Sequence, residues 1–133
     1  MPDSNSNKKV LLVDDDEFLL NMYAIKLKNS GYTPEVVTSG VAAIEKLRNG
    51  GDYDAIVFDI VMPAMTGFEM IEAIKKEKMA TRAALIALTN QGQQADIERG
   101  KKLGIDGYIV KASSVPSEVV NEINTILEAK GNK

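Results

Sequence analysis

The chain has 133 residues, enough for one domain with a real core and too few for two ordinary ones. Its 16 Lys and Arg are interleaved with 19 Asp and Glu for a net charge of −3, which leaves no basic surface to hold nucleic acid directly. Cysteine and histidine are both absent, which excludes disulfides, thiolate or imidazole metal sites, serine–histidine triads and any phosphohistidine of the chain's own.

The opening MPDSNSNKK lacks the apolar core of a signal peptide, and no apolar run nears the roughly 20 residues of a membrane span, so a cytoplasmic location with no membrane partner is expected. Residues 1–8 are polar and read as a disordered arm; the domain is expected over 9–129, with a loose tail at 130–133. Residues 10–13 (VLLV) are an unbroken apolar run ending on Asp14, Asp15 and Asp16. Apolar character without alternation suits a strand covered on both faces. Residues 18–27 are apolar at helical spacing, with Phe18, Met22 and Ile25 expected on the inward stripe and Ser30-Gly31 as the stop. Pro34 and Glu35 make 32–37 an edge strand, because proline cannot donate to a ladder. Ser39-Gly40 opens a second helix, with Val41, Ile44 and Leu47 expected inward and Gly50-Gly51 closing it.

Residues 54–67 (DAIVFDIVMPAMTG) repeat the first pattern, delivering Asp59 to the end of a buried strand. That edge of an open α/β sheet is where ligands bind. Taken alone, Asp59 is better read as the start of a turn before Pro63. A helix over 66–78 should bury Met70, Ile71 and Ile74 and expose Glu72, Lys75 and Lys76, while Met62 and Met65 pack nearby. Residues 84–88 (ALIAL) end on Thr89-Asn90, ahead of a polar loop over 91–94. The helix expected over 95–103 has few apolar anchors beyond Ile97 and Leu103, and its interior Gly100 costs about 1 kcal/mol relative to alanine. It should be the least firmly held. A fifth strand over 108–110 ends on Lys111. Ser113 or Ser114 with Pro116 then starts a last helix striped with Val119, Val120, Ile123, Ile126 and Leu127. Five strand–helix pairs in strict alternation predict an α/β fold, a doubly wound parallel sheet inside a three-layer sandwich.

In such a sheet the strand ends bearing Asp14 to Asp16, Asp59, Thr89 and Lys111 share one edge. Carboxylates converging there repel one another unless a cation joins them. Oxygen ligands completed by water suit Mg2+. With that charge screened, a carboxylate can attack a phosphoryl group to form an acyl phosphate, and a hydroxyl and an ammonium can bind the phosphoryl oxygens.

VLLVDDDE, IVFDIVMPAMTG, ALTN and GYIVK resemble the successive signatures of the receiver domain of bacterial two-component response regulators, over residues 9–129. The resemblance implies a flavodoxin-like sandwich with strand order 2-1-3-4-5 and a phosphoacceptor at Asp59. It implies Mg2+ on Asp15, Asp59 and the backbone carbonyl of Val61, with Asp14 as a second or water-mediated ligand. Thr89 would bind a phosphoryl oxygen, Lys111 would pair with the phosphoryl group, and Tyr108 would be the rotor that reports the state. The donor would be a histidine kinase or histidine phosphotransfer protein, or a small acyl phosphate. The target would bind the surface of the fourth helix, fifth strand and fifth helix. Asp16 reads instead as a helix-start acid, and Gly67 as a residue that frees the backbone after the Asp59 loop. With the chain ending soon after the fifth helix, a stand-alone receiver is expected.

Two positions depart from the family pattern. Ala112 stands where proline, usually after a cis bond, follows the lysine. Either the Lys111–Ala112 bond is trans with a shifted loop, or strain is stored there. Asn90 stands where a small residue is usual, and its amide should narrow access to the site. The alternatives are a haloacid-dehalogenase-like phosphatase, with Asp14 and Asp16 as its DxD pair, a flavodoxin-like FMN protein, and a degenerate receiver that only binds.

Overall fold

The computed structural model describes residues 8–90 and 92–131. The strands are β1 (Lys9–Val13), β2 (Thr33–Val37), β3 (Ala55–Phe58), β4 (Ala84–Thr89) and β5 (Gly107–Val110). The helices are α1 (Glu17–Asn29), α2 (Gly40–Arg48), α3 (Gly67–Lys76), α4 (Gln94–Leu103) and α5 (Pro116–Gly131), with a single 3-10 turn at Lys111–Ser113 between β5 and α5. All strand pairs are parallel, in the order β2-β1-β3-β4-β5, so Pro34 lies on an edge strand as its chemistry requires. The expected α/β architecture and strand order are present.

Because the pleat alternates, the central strands feed two cores. Leu11, Val13, Ile56, Phe58, Leu85 and Ala87 face α2 and α3. Val10, Leu12, Val57, Ile86, Leu88 and Ile109 face α1 and α5. Burial on both sides explains why these strands read as unbroken apolar runs. Among the residues of α4 only Gly100 is fully buried, and a Cβ there would come within 2.6 Å of the Ile105 side chain. The sparse anchoring expected for this helix is found.

Three helical expectations need correction. In α1 the buried residues are Leu20, Tyr23 and Leu27, whereas Phe18 is 78% and Ile25 60% exposed and Met22 is half-buried. Residues 18–27 are apolar at most positions and offer more than one stripe. The sheet selects the one that begins at Leu20. In α2, Val41 points to solvent while Ala43, Ile44 and Leu47 are buried. The last helix begins at Pro116 as expected, but the residue before it at the cap is Val115 rather than Ser113 or Ser114, its carbonyl accepting from the amides of Glu118 and Val119. Its stripe is as expected at Val119, Val120, Ile123 and Leu127, and Ile126 is partly buried.

The arm over 1–7, Gln91 and residues 132–133 lie outside the described residues. At the boundaries that are described, the Lys8 carbonyl accepts from Thr33 N at 2.8 Å, and α5 continues through Gly131.

Candidate phosphoryl and metal site

The chain leaves β1 toward β2 on one side and later returns to β3 on the other, so the carboxyl ends of β1 and β3 border the crevice where the strand order reverses. Val13 and Phe58 are register partners, and the next residue on each strand is an aspartate. Backbone bonds fix both: Asp59 N donates to Val13 O at 2.9 Å, and Asp14 N donates to Val37 O at 3.3 Å. Asp14, Asp15 and Asp59 each present a carboxylate oxygen within 4.8 Å of the others.

Among the described residues one lysine reaches this group. Lys111 Nζ lies 2.7 Å from Asp14 Oδ2 and 3.3 Å from Asp59 Oδ2, and the side chains of Lys111 and Asp14 are each 9% exposed. The remaining oxygens find amides: Asp14 Oδ1 accepts from Asp16 N at 2.9 Å, and Asp59 Oδ1 from Ile60 N at 2.7 Å. Burial pushes the Asp14 carboxyl above its usual range, and the Lys111 hydrogen bond only partly offsets this, while the Asp59 charge adds to it. Burial pulls the Lys111 ammonium down, but the hydrogen bond to Asp14 and the charges of Asp59 and Asp14 outweigh it and leave the lysine above its usual value. Three carboxylates around one ammonium leave a surplus of negative charge. The donors are all oxygen, Asp14 is buried, Asp59 half-buried and Asp15 exposed, and the set fits a hard divalent cation.

Thr89 and Lys111 arrive by register. Val110 pairs with Thr89, which places Lys111 one residue beyond, on the same sheet edge. Thr89 is fully buried at the end of β4, and Asn90 beside it is exposed. The Lys111–Ala112 bond is trans, there being no cis peptide among the described residues. A 3-10 turn over Lys111–Ser113 follows β5, and the ammonium reaches both aspartates. Tyr108 is half-buried on β5, with its hydroxyl pushed up to about 12 by burial and then by the charges of Asp96 and Asp59. Val61 sits in the loop two residues past Asp59 with its side chain exposed.

Asp16 is outside the cluster. It caps α1 by accepting from Leu19 N at 3.2 Å, which deprives the DxD reading of its second acid. Gly67 matters for a different reason from the one expected. It is not in the left-handed region; an added Cβ would stand 2.2 Å from the Asp59 carbonyl and 2.8 Å from the Phe58 ring. The glycine lets the first turn of α3 close directly against the phosphoacceptor candidate, with Gly67 N donating to Ile60 O at 2.8 Å. Thr66 and Glu69 form a reciprocal capping box that fixes that turn. The sequence signal for the close approach was the MTG that ends the Asp59 loop. Sequence reading missed the exposed apolar residues Phe18, Val61 and Val115, all on βα loops or first turns at this same edge.

The response regulator receiver domain family matches this chain over residues 10–124. The chain is 36% identical over 122 residues to the chemotaxis protein CheY of Halobacterium salinarum, covering 92% of this chain and 98% of that one. It is 31% identical over 121 residues to the alkaline phosphatase synthesis transcriptional regulatory protein PhoP of Bacillus subtilis, covering 91% of this chain and 49% of that protein. Among solved structures, a CheY-like response regulator receiver domain protein from Methanospirillum hungatei superposes with a TM-score of 0.84 at 26% identity, covering 96% of this chain and 98% of that one. The chain belongs to the response regulator receiver domain family, a signalling domain of two-component systems.

Proposed function

We propose that this receiver accepts a phosphoryl group on Asp59 in the presence of Mg2+ and uses it to switch a partner-binding surface. The observation that carries the reading is the gathering of Asp14, Asp15 and Asp59 oxygens within 4.8 Å of one another, with the Lys111 ammonium on Asp14 and Asp59. Asp14, Asp15, Asp59 and the Val61 carbonyl would hold the ion. Bound there, Mg2+ supplies the positive charge that lets an anionic nucleophile approach an anionic phosphoryl group.

An Asp59 carboxylate oxygen attacks phosphorus in line. The new O–P bond forms as the P–N bond to the donor imidazole breaks, and the imidazole leaves as a neutral ring after taking up a proton. With no histidine in the chain, the donor is a separate histidine kinase or histidine phosphotransfer protein. A small acyl phosphate can replace it, with breakage of a P–O bond. Lys111 neutralises charge on the transferred group, and Thr89 donates its hydroxyl to a phosphoryl oxygen. Phe18, Val61 and Val115 ring the carboxyl edge that the donor must cover to reach Asp59, and they give it apolar contact.

Phosphorylation adds nearly two negative charges at an edge already rich in acid. Thr89 drawn toward the new oxygens vacates space for Tyr108 to turn inward, and the weakly anchored α4 follows. The downstream protein target then reads the face of α4, β5 and α5. No direct nucleic-acid contact is proposed, and no helix among the described residues is long and apolar enough to cross a membrane. Asn90 stands exposed beside Thr89 and narrows the approach, so Asn90→Ala should speed both labelling and decay.

The test is Mg2+-dependent labelling by a small acyl phosphate, with amide exchange followed in parallel. Labelling should require Mg2+ and vanish in Asp59→Asn, and exchange should change across α4 and β5. Labelling that survives Asp59→Asn, or exchange at α4 and β5 that is identical with and without label, would overturn the reading.

A further inference from the structure

We infer that the opposite end of the molecule carries a second binding site, for a small organic anion with an apolar body. A cavity of about 380 Å3 opens between the end of α3, the α3–β4 loop, the end of α4 and the end of α5. That lies within the range of about 300 to 1,000 Å3 typical of small-molecule sites. Its floor is apolar, with Ile74, Met79, Ala83 and Leu85, and its rim carries Lys75, Lys78 and Lys130.

The charge on that rim is not consumed by the protein. Asp106 is the one acid lining the cavity, and it already accepts from Leu85 N at 2.8 Å and from Lys130 Nζ at 3.2 Å. Among the described residues neither Lys75 nor Lys78 has an acidic partner. A helix end amounts to about half a charge, and Lys76 already stands in the last turn of α3 beside Lys75. Two ammoniums therefore remain for a ligand.

The backbone around the cavity is held in conformations that side chains rarely adopt. Lys78 and Ala80 have φ of 58° and 52°, and Gly104, which ends α4, has φ of 81°. Lys78 and Gly104 end α3 and α4 in the usual left-handed way, with Met79 N donating to Ile74 O at 3.0 Å and Ile105 N to Gly100 O at 3.1 Å, so both helix ends face the cavity. The Lys75 side chain is exposed, and its Nζ lies 3.2 Å from where a Cβ of Gly104 would stand, at the rim of the cavity. An apolar floor and two ammoniums without acidic partners at its rim together define the ligand class: a carboxylate, sulfonate or phosphate at the rim and a ring or short chain below.

Naphthalene-2-sulfonate titrated into the whole chain, followed by amide chemical shifts, tests this. Saturable shifts are expected at Lys75, Lys78 to Ala83, Gly104 and Asp106, with those of Asp14 and Asp59 unmoved. The Lys75→Gln, Lys78→Gln double variant should bind about tenfold more weakly. 2-Naphthalenemethanol, the neutral counterpart, should bind as weakly to the native chain as the sulfonate does to the variant. Lys75→Gln alone gives the same comparison should the double variant unfold. Absence of saturable shifts at these amides, equal binding of the neutral probe, or undiminished binding by the variants would each overturn the inference.

Discussion

At the amino ends of β3 and β5 an aspartate precedes each strand, and each is used up in holding the sheet together. Asp54 accepts from Lys9 N at 2.8 Å and from Arg82 at 2.5 Å; Asp106 accepts from Leu85 N and from Lys130. At the carboxyl ends of β1 and β3 the aspartates outnumber their cation, with Asp14 and Asp59 sharing Lys111 and Asp15 gathered beside them. The same residue type is thus satisfied at one end of the sheet and left with unmet charge at the other. Unmet charge costs stability in the resting protein, and it is also what attracts a cation and a reaction.

The comparison can be broken most severely at Gly67. Gly67→Ala sets a methyl against the Asp59 carbonyl, so it should destabilise the fold by about 3 kcal/mol in urea and displace the chemical edge. At the amino edge, Asp54→Ala removes a charge-assisted bond to the Lys9 amide and the Arg82 pair, for an expected loss of about 2 kcal/mol. At the carboxyl edge the sign reverses. Asp59→Asn should stabilise the Mg2+-free protein by about 1 kcal/mol, because Lys111 and Asp14 are then a matched pair. A loss of stability there would erase the distinction between the two ends.

Acid sharpens the contrast with a smaller effect. Burial alone would raise the Asp54 carboxyl, but hydrogen bonds from Arg82 and the Lys9 amide overcome it and hold the group below its ordinary 3.8. Its stabilising contribution is therefore complete above that value and disappears as pH falls through the lower folded value. Asp14, held above 3.8 mainly by burial, acts oppositely. The folded state takes up its proton more readily than the unfolded chain, so its cost develops as pH rises through the folded value and is relieved in acid. Urea melts of Asp54→Asn and Asp14→Asn against the native chain, in Mg2+-free buffer from neutral to strongly acidic pH, should show two differences of opposite sign, both vanishing at the acid end.

The strand ends were legible because burial on both faces writes a strand as an apolar run, and the first polar residue after it marks the functional edge, as at Asp14, Asp59, Thr89 and Lys111. The phase of α1 was not legible. Its apolar residues are dense enough to support several stripes, and only packing on the sheet selects Leu20, Tyr23 and Leu27 over Phe18 and Ile25. Val41 failed for the same reason. The structural duty of Asp54 and Asp106 was invisible because it depends on register with β1 and β4, although both stand immediately before apolar runs. The role of Gly67 was misassigned because close approach and backbone freedom call for the same residue.

The most direct measurement is to locate a trapped phosphoryl group. After reaction with a small acyl phosphate and Mg2+, reduction of the acyl phosphate with borohydride and peptide mass analysis should place the modification on Asp59 and nowhere else. Modification of Asp14, or of neither aspartate while Mg2+ is bound, would contradict the assignment of chemistry to the surplus carboxylates around Lys111.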